Sequence, residues 1–334
     1  MSKQRKQSRA NFKAVIIGAG RIASQFDSPK SGGVLTHAHA FDRHPRVDLM
    51  GMFDTNKGVA RREAKKWGCQ AYDDLDTMMK TVQPEIVSIC TPDSSHFGIL
   101  LKIAPYRPRI VICEKPVTLH VADTRKIVRL YRHLGIPVVV NYPRRFDRAV
   151  QEIQHAITTG EYGKVLCASG TYTKGILHSG SHMIDLCRFL FGEARSVVTT
   201  LAVADYSPSD TNISGCLEFE LCKQFHLMVG DERKYSLFEL DILFERCRIR
   251  LIDSGFYISV QDVGKDHRYA GYQCLSKPVS KRTSLNRAML ALVDNVVHYL
   301  SHGQLLIGRV EDAAKTQRVC ELLLTGKKFR KHYV

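Results

Sequence analysis

Residues 14–23 read A-V-I-I-G-A-G-R-I-A, and this stretch decides the fold. Ala14–Ile17 is a short continuous apolar run, the pattern of a buried strand. Gly18-x-Gly20-x-x-Ala23 follows, with the spacing of a dinucleotide-binding turn between a strand and a helix. Gly18 permits the tight turn, and Gly20 lets the backbone come close to a pyrophosphate. Ala23 is small enough for the helix to pack against its strand. Arg21 and Ile22, between the small residues, belong to the same candidate contact set. The first N–H groups of such a helix have no intrahelical partner and sit at its positive dipole end, which suits phosphate.

A second strand, Val47–Phe53, ends in Asp54. In folds of this kind an acid about 20 residues past the third small residue holds a ribose. Asp54 lies farther along, and Asp27–Thr36 (D-S-P-K-S-G-G-V-L-T) accounts for the excess. Proline and a cluster of turn formers prevent this segment from continuing a helix. It reads as an insertion loop beside the cofactor site, with a plain surface loop as the alternative. His37 and His39, on the helix resumed after it, read as packing or cofactor-edge residues.

The chain has 334 residues, enough for two domains and a large core. Hydrophobic residues make up 44% and charged residues 25%, an ordinary globular composition. No apolar run approaches the roughly 18 residues of a membrane span. The N-terminal M-S-K-Q-R-K-Q-S-R-A-N lacks the apolar region of a secretory signal, so residues 1–12 are expected to form a disordered basic tail. The ten cysteines form no C-x-x-C, so neither zinc nor any other metal is expected. Cys90, Cys113 and Cys167 sit in strand-like runs, where free cysteine behaves as a small hydrophobe. The thiols are expected reduced and the compartment cytoplasmic. The net charge of +16 favours anionic partners. It is spread along the chain, with no basic stripe interleaved with aromatics, so nucleic acid is not expected and an anionic small substrate is.

Strand candidates Ala14–Ile17, Val47–Phe53, Ile86–Cys90, Ile110–Cys113 and Val138–Asn141 alternate with helical patterns at Gly58–Trp67, Leu75–Lys80, Phe97–Ala104 and Ala122–Leu134. This β-α-β rhythm predicts an N-terminal α/β unit of Rossmann type, a doubly wound parallel sheet, over residues 13–143. Beyond residue 160 strand-like runs succeed one another, and Leu217–Leu221 and Phe238–Leu243 alternate apolar and acidic residues. Residues 144–334 are therefore expected to form an α/β domain with an open, mostly antiparallel sheet. Two helices close the chain, one with Leu285, Met289, Leu292, Val293, Val296 and Leu300 on one face. The segment Lys265–Thr283 is basic and reads as a loop.

Four further motifs follow in order. Ile86–Cys90 runs into Thr91-Pro92-Asp93-Ser94-Ser95-His96, and Ile110–Cys113 into Glu114-Lys115-Pro116. Val138–Val140 runs into Asn141-Tyr142-Pro143-Arg144-Arg145-Phe146. Then comes Gly175-Ile-Leu-His178-Ser-Gly180-Ser-His182-Met-Ile-Asp185. The first three lie just past the carboxyl ends of predicted strands, where open α/β sheets bind ligands.

With these motifs the chain resembles the Gfo/Idh/MocA family of nicotinamide-dependent oxidoreductases, over about residues 12–325. The resemblance implies a Rossmann domain followed by an open-faced α/β domain, with NAD, or alternatively NADP, as cofactor. It implies that Lys115 contacts substrate and nicotinamide, that Glu114 lies near the nicotinamide ribose, and that His182 is the catalytic histidine. Thr91, Pro92 and His96 match the loop lining the cofactor, and Arg145 matches an arginine near the substrate cleft, with Tyr142 beside it in the same segment. One departure matters. Members similar to inositol dehydrogenase carry an aspartate four residues before the histidine, where this chain has His178, so a Lys–Asp–His relay does not transfer whole. The run around His182 also resembles bacterial members of a surface-glycan sugar branch.

Histidine exchanges a proton near neutral pH, and a lysine ammonium stabilises a developing alkoxide. Asp185, three residues past His182, shares its helical face and is placed to orient the imidazole. His178, Tyr142, Arg145 and Asp185 are the expected substrate contacts. The expected activity is hydride transfer between NAD and a carbinol or carbonyl of a sugar or nucleotide-sugar. The alternatives are a non-catalytic NAD-binding regulator and a hydrolase or lyase that oxidises its sugar transiently. An open sheet face predicts a homodimer or homotetramer.

Overall fold

A computed structural model describes residues 11–207, 210–326 and 329–330. Most of the predicted basic tail lies outside the described residues. Its last residue, Phe12, already belongs to the first strand. The chain divides into two compact units. One comprises the chain up to Asn141 together with Met289–Val310; the other comprises Tyr142–Ala288 and the residues from Glu311 onward.

The first unit begins with strands β1 (Phe12–Ile17) and β2 (Val47–Phe53), β3 (Gln70–Tyr72), β4 (Ile86–Ile89), β5 (Ile110–Cys113) and β6 (Val138–Val140). All pair in parallel, in the order β3-β2-β1-β4-β5-β6. This is the doubly wound order, with its reversal between β1 and β4. β1, β4, β5 and β6 are buried almost throughout, which is why they read as mostly apolar runs, with Lys13 and Ser88 as the exceptions. The helices of this unit are α1 (His37–Arg43), α2 (Lys57–Lys66), α3 (Leu75–Val82), α4 (Asp93–Ile103) and α5 (Val121–Leu134). Asn56 and Asp74 cap α2 and α3 by accepting from the third following N–H.

The glycine turn differs from the expected strand-to-helix join. Only a five-residue π-helical turn, Arg21–Gln25, follows it. The chain then loops until α1 starts at His37. The interrupting segment is the predicted insertion, and it is tightly organised. Asp27 accepts from the Leu35 N–H (2.6 Å), the Thr36 N–H (3.3 Å) and the Thr36 hydroxyl, with His39 Nδ1 2.8 Å away. Thr36 in turn caps α1 through the His39 N–H. Trp67 is buried and has a polar task as well: its indole N–H donates to the Ser24 carbonyl at the end of the π-helical turn.

The second unit runs α6 (Arg148–Thr159), β7 (Val165–Tyr172), α7 (Ser181–Phe191), β8 (Ala194–Ser207), β9 (Asp210–Phe219), β10 (Phe225–Val229), β11 (Phe238–Phe244), β12 (Cys247–Ile252) and β13 (Tyr257–Lys265). Then come β14 (Gln273–Leu275), β15 (Val279–Arg282), α8 (Ala288–His302), which apart from Ala288 falls in the first unit, α9 (Val310–Thr325) and β16 (Phe329–Arg330). The sheet order is β14-β13-β12-β11-β7-β10-β9-β8-β16, with β15 beside β13, and only β7 and β10 are parallel. On β11 and β12 alternate residues are buried. The buried set, including Leu240, Ile242, Ile249 and Leu251, packs with Met183 and Leu190 of α7 and Leu323 of α9. The opposite face carries the Asp241–Arg248 ion pair, Arg250, His226 and the exposed Met228 and Leu201.

Three readings change. Lys265–Thr283 is not a loop throughout, since β14 and β15 lie in it as short, exposed edge strands. β3 has no counterpart among the predicted strands. Met289–Val310, which the sequence reading leaves in the second domain, groups with the first unit, where Val140 donates its N–H to the Gly308 carbonyl.

Candidate active site

In the first unit the glycine turn is assembled at the carboxyl end of β1. Gly18 has φ +89°, and a Cβ there would lie 2.8 Å from the Cys90 carbonyl carbon and from Thr91. Only glycine fits that turn. Gly20 is the opposite case, with nothing within 4 Å of where a Cβ would stand, so its backbone faces open space. Ala23 is fully buried. Arg21 is exposed and Ile22 half-buried. Asp54 ends β2 against this turn: one carboxylate oxygen accepts from the Ala19 N–H at 2.8 Å, the other from the Asn56 N–H at 2.8 Å. A glycine backbone open to a ligand, a turn closed to any side chain and a carboxylate drawn to the turn fit a dinucleotide. Lys57 and Arg61, the basic residues nearest Asp54 in sequence, both pair with Asp73.

The next strand ends carry the rest. Thr91 accepts from the Ser95 hydroxyl at 2.8 Å, and Pro92 opens α4. His96 is 1% exposed, with its ring nitrogens 2.8 Å from the Pro116 carbonyl oxygen and 2.9 Å from that of Thr91. It ties two turns together from beneath instead of lining a ligand surface as expected. Glu114 accepts from Asn141 Nδ2 at 2.6 Å and lies 2.8 Å from His37 Nε2. Burial pushes the Glu114 carboxyl up, but His37, Asn141 and Lys115 outweigh it and hold it below the usual carboxylate range. Lys115 follows directly, in the turn after β5.

In the second unit His178 and His182 stand on consecutive helical segments. His178 is exposed, on a π-helical turn spanning Gly175–Gly180, and His182 is half-buried in the first turn of α7. Lys174 and Gly175 both have positive φ (75° and 78°). Asp210 and Asn212 of β9 hold this segment. The Asp210 carboxylate accepts from the N–H groups of Leu177 and His178, each at 2.8 Å, and Asn212 Oδ1 accepts from Gly175 N–H at 2.7 Å. A Cβ on Gly175 would lie 2.1 Å from an Asp210 oxygen, so glycine is required by both space and φ. Nothing in the sequence marked Asp210 or Asn212, because the interaction joins backbone to side chains more than thirty residues away.

Tyr142 is buried and packs edge-on to His182, with ring centroids 5.5 Å apart; burial holds its phenol well above the usual range. Arg145 and Asp185 correct the expectation of two substrate contacts. They are 6% and 1% exposed and bind each other, Nε to Oδ2 at 2.7 Å and Nη2 to Oδ1 at 2.9 Å. Thr316 donates to the same carboxylate at 3.1 Å. Asp185 thus locks α7 to the Tyr142–Phe146 segment and to α9.

Residues 12–142 match the model of the oxidoreductase family with an NAD-binding Rossmann fold, GFO_IDH_MocA. D-glucoside 3-dehydrogenase of Escherichia coli (strain K12) is 25% identical over 188 residues, 52% of this chain and 50% of that protein. The scyllo-inositol 2-dehydrogenase (NAD(+)) of Bacillus subtilis (strain 168) is 29% identical over 163 residues, 44% of this chain and 47% of that protein. The chain spans about half the length of the curated relatives it matches. Over whole chains, the fold is that of the WlbA dehydrogenase from Bordetella pertussis, solved with NADH and UDP-GlcNAcA. The TM-score is 0.75 at 16% identity, over 97% of this chain and 100% of that one. An Agrobacterium radiobacter oxidoreductase solved with NAD+, L-tartaric acid and magnesium gives a TM-score of 0.77 at 17% identity, over 96% and 98%.

Proposed function

We propose that this chain, whose Rossmann unit belongs to the Gfo/Idh/MocA oxidoreductases, transfers hydride between NAD and a carbinol or carbonyl of a sugar or nucleotide-sugar. The observation that carries the reading is the placement of Asp54 on the glycine turn at the switch point of the sheet. Gly18, Gly20, Arg21, Ile22 and Ala23 would hold the pyrophosphate, Asp54 the adenosine ribose, and Thr91, Pro92 and Glu114 the nicotinamide end. Held there, NAD would supply the acceptor for the hydride of the carbinol carbon.

The protein supplies proton and charge. His182 takes the hydroxyl proton on oxidation and returns it on reduction. The Lys115 ammonium stabilises the alkoxide that develops as the proton leaves. His178, exposed at the rim of its turn, contacts substrate. Tyr142 orients the His182 ring by edge contact and is not itself a base, since burial keeps its phenol protonated. The presence of both Lys115 and His182 supports catalysis over a purely regulatory role.

Asp54 favours NAD, because a carboxylate accepts both ribose hydroxyls and repels a 2′-phosphate. The net charge of +16 supports a nucleotide-linked or otherwise anionic sugar. All ten cysteines are free, in keeping with the cytoplasm, and no helix among the described residues is long and apolar enough to cross a membrane. The uncovered sheet face, with Met228 and Leu201 among charged residues, is the surface on which a homodimer or homotetramer would form. Mass spectrometry of small molecules released from the purified protein, followed by a screen of nucleotide-sugars with NAD, tests the reading. Released NAD and substrate-dependent NADH support it. A sugar converted with no net NADH would show a hydrolase or lyase instead.

A further inference from the structure

A buried polar row runs behind the carboxyl ends of β4, β5 and β6 and is not used by the chemistry above. His37, the first residue of α1, is fully buried. Its Nδ1 lies 2.8 Å from Ser88 Oγ and its Nε2 2.8 Å from Glu114 Oε1. The same Glu114 oxygen accepts from Asn141 Nδ2, and Ser88 Oγ lies 3.4 Å from Cys90 Sγ. One ring therefore bridges β4 to the end of β5, and Asn141 continues the row to the end of β6.

The insertion has a place in this arrangement. Asp27 closes the loop on itself, and Thr36 caps α1 at the residue before His37. The loop thus ends on a fixed helix start, and that start delivers the ring to the strand ends.

A carboxylate only 13% exposed, as Glu114 is, is costly unless charge and hydrogen bonds offset its lost hydration. Asn141 supplies a dipole only. A ring donating through both nitrogens, to Glu114 and to Ser88, supplies the charge. Burial works against that charge, but Cys90 and Glu114 outweigh it and lift His37 to about 10. The charged and titratable groups around the pair are Cys90 just past β4, Cys113 at the end of β5, and Glu114 and Lys115 after β5.

We propose that His37 is a positioning residue, a buried imidazolium that fixes the Glu114 carboxylate in its ionised form beside Lys115. A fixed anion there favours the ammonium form of Lys115. That consequence rests on the reading of Lys115 as the alkoxide-stabilising lysine; the protonation state of His37 does not, so the two fail separately.

Nitrogen-15 NMR of the ligand-free protein, labelled on histidine, tests it. The His37 resonances are assigned by their loss in His37→Gln, or by their shift in Ser88→Ala if that variant does not fold. The expected result is an imidazolium signature that persists at about pH 8, where an ordinary histidine is neutral. A neutral His37 ring at that pH overturns the proposal. In the active enzyme, His37→Gln should steepen the acid side of kcat/KM, as proton uptake at Glu114 adds to that at the base His182. The KM for NAD should change less than about threefold. An acid side of unchanged slope overturns the positioning role.

Discussion

Replacing Asp185 by alanine should destabilise the second unit without touching the chemistry directly. The carboxylate it removes makes two short bonds to Arg145 and one to Thr316, all out of solvent. Removing one partner of a buried ion pair costs about 3–5 kcal/mol, because the other charge is left uncompensated. The lower end applies here. Arg145 keeps a second carboxylate, Asp312, 3.9 Å away and about one-third exposed. A loss of about 3 kcal/mol in a unit of this size lowers Tm by about 6–12 °C. Calorimetry of wild type, Asp185→Ala and the double variant Arg145→Met with Asp185→Leu measures it. The double variant should recover most of the loss, since apolar side chains of similar volume replace a buried pair well. A loss under about 1 kcal/mol in Asp185→Ala, with a raised substrate KM, would refute this reasoning and return the pair to the substrate site.

Asp54→Ala should narrow the preference for NAD over NADP, read as the ratio of dissociation constants by NADH and NADPH fluorescence; wild type binding NADP as tightly as NAD would sink the assignment of Asp54. Gly175→Ala should cost about 2 kcal/mol or more, because the new Cβ collides with Asp210 at a left-handed φ; an unchanged melting curve counts against the clamp. The folded His37 ring keeps a proton that the unfolded one loses above about 6.5. Its contribution is complete below that pH and lost on rising through about 10. Tm should therefore fall from neutral to alkaline pH more steeply in wild type than in His37→Gln, and parallel curves would contradict this. Light scattering should show a particle larger than one chain of 37.8 kDa.

The parts of the fold legible in the sequence were those whose physics is local. β2 and β5 occupy the predicted residues because one is bounded by turn signals and the other is an unbroken apolar run. β3 is three residues, Q-A-Y, too short to show a period. β15 is V-S-K-R and fully exposed, so its pairing with β13 leaves no hydrophobic trace. The helix at Met289 shows its apolar face in sequence, but a face does not say which sheet it covers. The same limit governed the site. Gly18 was legible because its positive φ and crowded turn demand glycine, and Asp54 because it stands at the end of β2, where it meets that turn. Asp185 had its charge legible and its partner not: helical spacing pointed to His182, while the fold brought Arg145 from forty positions away.

The most direct test of hydride transfer is NADH absorbance when the protein, NAD and a panel of nucleotide-sugars are mixed, with Lys115→Ala and His182→Ala beside wild type. We expect substrate-dependent NADH in wild type and a drop in kcat of roughly 10² or more in each variant with NAD binding nearly unchanged, since both residues act on charge that develops in the transition state. His178→Ala should lose about tenfold as a substrate contact. Full activity in both the Lys115 and His182 variants would contradict the account.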